Sequence, residues 1–381
     1  MIYFDYGATS FPKPRGMLEQ MEECMLYYCG NPGRSGHRMS MKMGEKIYEA
    51  RKEIGTLLGI EDPSRLIFTK NTTEGLNLAM SGILKEGDHV VTTAMEHNSV
   101  LRPLKELEER GVTHTIVPAD KQGNIASQLI KSAIQENTKM IVMTGASNVT
   151  GTIMPMEAIA EYGLSKGILT LLDGAQCIGN FPIHIGKLPF SMIAFPGHKG
   201  LLGPQGTGCL YVNPELQERM YPLIFGGTGT SSKSTRQPLD FPDGYEAGTL
   251  NGPGIIGLGY SVKYVSKIGV DVIHNFEKDL ITHLDCALRN MDFVTVYGPK
   301  SDKKVGITLF NIKGLSSEEV TERLNREYGI AVRGGYHCAG LAHKSIGTWD
   351  QGAVRLSVGP FNTLKEIQFA IKAIYRIGSR R

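Results

Sequence analysis

The chain has 381 residues, with 41 Lys and Arg against 38 Asp and Glu, a formal net charge of +3, and 41% apolar residues. Disorder needs fewer apolar residues and a larger net charge, and so small a cationic excess excludes the basic footprint of a nucleic-acid binder. No apolar run approaches the roughly 20 residues that span a bilayer, and the opening Met1-Ile2-Tyr3-Phe4-Asp5 lacks the basic-then-apolar pattern of a secretory leader.

The first clear periodicity lies over residues 45–58, where Ile47, Ala50, Ile54, Leu57 and Leu58 recur at steps of three and four and predict an amphipathic helix. Strand and helix patterns then alternate. Strands are predicted at 66–69, 89–93, 113–117, 139–144 and 168–173, with helices at 74–84, 100–109, 125–135 and 156–165 between and after them. Two more strands follow at 191–195 and 208–212. The run Ile168-Leu169-Thr170-Leu171-Leu172 is apolar enough to be buried on both faces. Such alternation predicts an α/β fold with a mostly parallel sheet, whose ligands sit at the carboxyl ends of the strands. Residues 226–254, rich in Gly, Ser, Thr and Pro, read as an ordered loop. Beyond them come a long helix at 257–289, a strand at 304–311 and a helix opened by the capping box Ser316-Ser317-Glu318-Glu319. A strand at 353–357 and a last helix at 364–377 close the chain. The change of pattern predicts a large domain over 15–254 and a smaller α+β domain made of 1–14 and 255–381.

The six cysteines, Cys24, Cys29, Cys177, Cys209, Cys286 and Cys338, form no CxxC pair. That excludes a zinc ribbon or disulfide framework and fits a reducing cytoplasm. A metal centre of His337, Cys338 and His343 would lack a fourth ligand. Gly252-Pro253-Gly254-Ile255-Ile256-Gly257 matches GxGxxG by letter, but no strand leads into it, which excludes a dinucleotide fingerprint.

Four segments carry chemistry. In Phe195-Pro196-Gly197-His198-Lys199-Gly200 a lysine follows an apolar strand, where exclusion from solvent lowers an amine's pKa and makes it a nucleophile; a surface lysine in a turn is the plainer reading. Asp173 ends a buried strand and either faces the ligand crevice or caps the next helix. Thr69-Lys70-Asn71-Thr72-Thr73-Glu74 runs from strand into helix, an anion-binding arrangement that ordinary capping also explains. In Ala331-Val332-Arg333-Gly334-Gly335-Tyr336-His337-Cys338 two glycines predict a mobile backbone. The neighbouring His337 and nearby Arg333 and Arg355 favour a thiolate.

In their chain order these segments resemble the class V, fold-type I pyridoxal-phosphate enzymes, and among them the cysteine desulfurase and selenocysteine lyase branch. The resemblance extends from Asp5-Tyr6-Gly7-Ala8-Thr9 to the final helix. It implies that Lys199 holds pyridoxal 5'-phosphate covalently with His198 beside it, that Asp173 pairs with the pyridine nitrogen and Gln176 with the ring hydroxyl, and that His97 stacks on the ring. Thr72 and Thr73 would hold the phosphate, joined by Thr249 from the other subunit of a homodimer with a shared active site. Asn148, Arg355 and Arg333 would position the amino-acid substrate. Cys338 would take its sulfur or selenium and pass it to an acceptor protein. Four departures from the family pattern are Pro196, where a hydroxyl residue is usual, Tyr6, Tyr336 before His337, and the lack of an early proline after Cys338. The alternatives are a class V lyase or aminotransferase that does not use Cys338, and a dimeric scaffold on a degenerate enzyme fold.

Overall fold

The computed structural model describes residues 1–33 and 36–380. Its first half contains β1 (Ile2–Tyr3), α1 (Arg15–Tyr27), α2 (Arg38–Leu58), β2 (Leu66–Thr69), α3 (Thr72–Ile83), β3 (His89–Thr93), α4 (Asn98–Glu108), β4 (Thr113–Val117), α5 (Ser127–Ser132), β5 (Thr138–Thr144), α6 (Met156–Lys166) and β6 (Leu169–Asp173). Then come β7 (Met192–Pro196), β8 (Gly208–Val212), α7 (Gly252–Ile268), α8 (Val270–Arg289), β9 (Val294–Tyr297), β10 (Ile307–Ile312), α9 (Ser317–Tyr328), β11 (Ile330–Ala331), α10 (Gly340–Ile346), β12 (Val354–Ser357) and α11 (Leu364–Ser379).

Seven strands form the central sheet in the order β2-β8-β7-β6-β5-β3-β4. From β7 to β4 all neighbours are parallel, whereas β8 is antiparallel to both β2 and β7. The predicted mostly parallel α/β sheet is therefore present. Both its faces are covered, and period-two alternation feeds two cores. Ile141 and Met143 of β5 enter one core with Ile54 and Phe68. Met140 and Val142 enter the other with Leu76 and Met80.

A second, antiparallel sheet runs β12-β10-β9. Leu280 and Leu284 of α8, Val320 of α9 and Ile374 of α11 pack with Phe310 and Leu356 of this sheet. Phe4 joins that core, because β1 pairs in parallel with β11 and Asp5 bridges to Ser357.

Several predicted elements change. The helix expected over 257–289 is two helices, broken at Gly269, whose φ of 93° favours a residue without Cβ. The loop expected through 254 stops at Asn251, whose side chain caps α7 by accepting from Gly254 N. Helix α2 starts at Arg38, ahead of its first apolar stripe, because His37 Nδ1 accepts from Ser40 N. Helices α1 and α10 and strands β1, β9 and β11 had no predicted counterpart. Among the described residues, no helix is long and apolar enough to cross a membrane.

The segment ahead of α7 is held by one buried ion pair. Arg51 of α2 donates to both carboxylate oxygens of Glu246, at 2.8 and 2.9 Å. Glu246 also accepts from Phe68 N at 2.6 Å, and Arg51 donates to the Leu66 carbonyl. Arg51→Ala would leave a buried carboxylate without its cation, so a loss of about 3–5 kcal/mol in urea unfolding is expected. A loss below about 1 kcal/mol would show that this pair does not anchor the segment.

Candidate active site

The strand ends decide where the chemistry lies. β3, β5, β6 and β7 are parallel, so the residues just after Thr93, Thr144, Asp173 and Pro196 emerge on one side of the sheet. A cavity of about 230 Å³ opens there, lined by Thr72, Thr73, His97, Asn148, Asp173, Gln176, His198, Lys199, Arg333 and Arg355. Residues from seven separate stretches of the chain thus meet at one place.

Lys199 is half-buried, and its amine makes no hydrogen bond or ion pair among the described residues. Burial, with Arg355 next in weight, lowers its pKa to about 8, while Asp173 pulls the other way. Asp173, the last residue of β6, is buried, and burial raises its carboxyl. Its Oδ1 accepts from Ala175 N at 2.9 Å, and no cation lies in ion-pair range among the described residues. Because turns and no helix follow β6, this bond closes a turn and does not cap a helix, and Oδ2 stays available.

His97 sits in the connection from β3 to α4. Its Nδ1 accepts from Ser99 N at 3.1 Å, so in the neutral ring Nε2 carries the proton. Burial, then the Lys199 and Arg333 cations, lower His97 to about 4. The Ser99 hydroxyl lies 2.8 Å from the same Nδ1 and 2.7 Å from the Thr73 hydroxyl. Ser99 lines the cavity and was not singled out from sequence, because a lone serine after His-Asn reads as a helix start. Beneath it, Glu96 is fully buried and pushed up to about 8 by burial. Its Oε1 accepts from the Thr93 hydroxyl at 2.6 Å and from Thr144 N at 3.1 Å, joining the ends of β3 and β5.

The amino-terminal segment closes another wall. The His198 carbonyl accepts from Ser10 N at 2.9 Å and from Lys13 Nζ at 3.1 Å. His198 Nδ1 lies 3.0 Å from the Thr9 hydroxyl. Gln176 donates to the Gly7 carbonyl at 2.9 Å. A Cβ on Gly7 would come within 3.0 Å of the Arg355 guanidinium carbon, so glycine is what lets the chain cross it. Arg355, on β12, donates through Nη2 to Asp5 at 2.7 Å and through Nη1 to the Asn148 carbonyl at 3.0 Å. Its Nε is buried without a partner.

Cys338 is exposed and lines an adjoining cleft of about 620 Å³ that shares Thr73, His97 and Ser99 with the cavity. Two expectations about its loop are corrected. The glycines do not leave it loose: Gly335 exchanges two 3.1 Å backbone hydrogen bonds with Ala353. Nor does His337 face the thiol. Its ring is buried, with Nε2 3.1 Å from the Arg333 carbonyl and Nδ1 3.2 Å from His343 Nε2. What reaches the sulfur is Arg333, whose Nη2 lies 3.7 Å from Sγ. With His337 and His343 bonded to each other, no group of three metal-ligating side chains occurs among the described residues. Thr249 lies outside the cavity of its own chain, exposed, 3.5 Å from Asn31 Nδ2.

The family model for class-V aminotransferases matches residues 2–369. A probable cysteine desulfurase of Pyrococcus abyssi is 36% identical over 380 residues, covering 97% of this chain and 92% of the relative. One from Methanothermobacter thermautotrophicus is 34% identical over 371 residues, covering 96% and 92%. The apo structure of a cysteine desulfurase from Thermococcus onnurineus superposes with a TM-score of 0.94 at 32% identity, covering 100% of this chain and 95% of that one. With a family model spanning nearly all of it and relatives of this identity along almost its whole length, the chain belongs to the class-V aminotransferase family, among that family's cysteine desulfurases.

Proposed function

We propose that this protein is a pyridoxal-phosphate-dependent cysteine desulfurase that moves sulfur from L-cysteine to Cys338 and releases alanine. The observation that carries this reading is the Lys199 amine, without a partner among the described residues, in a cavity whose neighbouring cleft holds an exposed cysteine. Three features fit the cofactor. Lys199 is a nucleophilic amine awaiting an electrophile, and Asp173 is a buried carboxyl with a free oxygen. Thr72 and Thr73 stand on the first turn of α3, where free N–H groups favour a phosphate. Pro196 adds no hydroxyl, so the phosphate site rests on that helix end, on the nearby Ser99, and on Thr249 from a partner subunit.

Pyridoxal phosphate bound here supplies a pyridinium ring that stabilises negative charge on the substrate's α-carbon. Asp173, as a carboxylate, would accept at Oδ2 from the protonated ring nitrogen and so keep the ring in its pyridinium form. Gln176 and His198 would hold the ring together with His97, a neutral imidazole with its proton at Nε2. Lys199, with a pKa of about 8, takes the α-proton at Nζ and returns it. Arg355 and Arg333, with Asn148, bind the substrate carboxylate, and the unpartnered Arg355 Nε is the donor ready for it. The Cys338 thiolate, beside the Arg333 cation, attacks the substrate sulfur. A sulfur–sulfur bond forms, the carbon–sulfur bond breaks, and the carbon takes a proton to become alanine. A cytoplasmic, homodimeric enzyme is part of the proposal, as is a split into domains 15–254 and 1–14 with 255–381. The dimer is supported by Thr249 standing outside its own cavity and by α1 exposing Leu18, Met25, Leu26 and Tyr27.

Cys338→Ala is expected to keep the bound cofactor's absorbance and lose at least about 100-fold in sulfide release from L-cysteine. Undiminished release would favour a class V enzyme that bypasses Cys338. In the apoprotein, a small acylating reagent read by mass spectrometry should modify Lys199 with a midpoint near pH 8 rather than the ordinary 10.5. Below that pH the amine is protonated and unreactive, so labelling rises as pH increases through the midpoint. A midpoint at 10.5 would refute a desolvated Lys199. Light scattering should give twice the chain mass, and Thr249→Val should weaken cofactor retention without changing that mass.

A further inference from the structure

Cys338 stands in a backbone conformation that side chains disfavour. His337 and Cys338 have φ of 53° and 57°, two consecutive residues other than glycine in the left-handed region. Such a turn persists only when its surroundings over-determine it. Two tethers are backbone acceptors: the His337 carbonyl accepts from Asn148 Nδ2 at 2.7 Å, and the Cys338 carbonyl accepts from Asn98 N at 2.8 Å. Both donors belong to the opposite wall, so they hold the loop down without deciding its internal shape.

The internal shape is set by a chain of three buried side chains. His337 is 2% exposed, and His343 and Thr348 are fully buried. The Arg333 carbonyl can only accept, so His337 Nε2 carries the proton of the 3.1 Å contact between them. His337 Nδ1 is then an acceptor, and the 3.2 Å contact is filled by the proton on His343 Nε2. His343 Nδ1 in turn accepts from the Thr348 hydroxyl at 2.7 Å. Every donor and acceptor is matched in one direction only. The two rings are nearly parallel, with centroids 5.4 Å apart and planes 16° apart, as an in-plane bond between their nitrogens requires, and Tyr336 meets His343 edge-on at 5.4 Å. Protonation of either imidazole would break the sequence by removing an acceptor. Burial, with Arg355, keeps His337 near 2, and burial keeps His343 near 4. The charged groups that bear on the pair are Arg333 and Arg355, both cations that oppose protonation of His337.

We propose that His343 and Thr348 are positioning residues for the desulfurase reaction: acting through His337, they lock the turn that presents the Cys338 thiol at the cavity mouth. Neither residue touches the cavity. The inference rests on Cys338 being the sulfur-accepting nucleophile, and its test separates the two claims. In the holoenzyme, Thr348→Val and His343→Leu should lower kcat for L-cysteine about tenfold, with KM and cofactor absorbance unchanged. His343→Gln, whose amide can still donate to His337 Nδ1, should recover most of the rate. Hydrogen exchange should rise in both variants at the amides of Cys338 and Ala339, and not in α3 or α4. Thr348→Val differs from the native residue by one polar atom, and it decides the matter if His343→Leu fails to fold. Unchanged exchange in the loop would overturn the relay. Faster exchange with unchanged kcat would overturn its role in positioning. Sulfide release that survives Cys338→Ala would instead refute Cys338 as the nucleophile and leave the exchange result to test the relay alone.

Discussion

A primary amine withdrawn from water without a partner is the constraint around which this site is organised. Desolvation favours the neutral form of Lys199, and the Arg355 and Arg333 cations push in the same direction. Asp173 offsets part of that, at a distance that forms no ion pair. The result is a nucleophile at ordinary pH inside a cavity whose remaining charge is positive. Such a cavity is complementary to a molecule carrying an aldehyde, a phosphate and, in its amino-acid partner, a carboxylate. Lys199, the first turn of α3 and Arg355 stand on different segments, so the sheet's role is to bring the ends of β3, β5, β6 and β7 to one edge.

The far ends of the chain complete what the sheet begins. Asp5 and Arg355 lie 350 residues apart in sequence and 2.7 Å apart in space. Asp5 is delivered by the parallel pairing of β1 with β11, and Arg355 by the register of β12 against β10. Arg355 then reaches across to the Asn148 carbonyl after β5. The Arg355 guanidinium is therefore fixed jointly by both sheets and by the amino terminus. A buried arginine without Asp5 would be an uncompensated charge, which gives the small sheet and the first residues an electrostatic reason to dock.

Much of this was legible in sequence, and the limits have physical causes. The strands of the large sheet could be read because buried parallel strands are continuous apolar runs with sharp ends; Lys199, Asp173 and the Thr72–Thr73 turn stood out at those ends, whereas His97, Gln176, Asn148 and Thr249 entered through the family resemblance. Helix α1 was not legible: it starts after Pro14 with no side-chain cap and leaves much of its apolar surface exposed, so periodicity and capping were both faint. Strands β1 and β11 are two residues each and exist through their pairing. Asn148 and Arg333 could be expected in the site, yet their bonds to the Cys338 loop could not. Ser99 and Glu96 went unnoticed because a hydroxyl and a carboxyl beside a helix start look like caps. The roles of His337 and of the two loop glycines were misjudged for a further reason: adjacency in sequence says nothing about which way a side chain turns.

That misjudgement bears on how sulfur is handed on. A desulfurase thiol has to reach a buried substrate and then face a partner, which suggests a loop that swings. Here the loop backbone is held at Gly335, His337 and Cys338 by five backbone and amide hydrogen bonds, counting the two with Ala353, those from Asn148 and Asn98, and the 3.0 Å bond from Ala339 N to the Tyr336 carbonyl. Among the described residues the thiol's hydrogen-bond partner is Arg333 Nη2, at 3.7 Å, and Cys338 is exposed. Rotation about the Cα–Cβ bond moves a cysteine sulfur between rotamers without disturbing any of those bonds. The cleft and the cavity share Thr73, His97 and Ser99 as a common wall, so the two positions the sulfur must visit are neighbours. A rigid turn carrying one free rotor meets both demands, and it explains why so strained a backbone is kept where a relaxed loop would leave the thiol's position undefined.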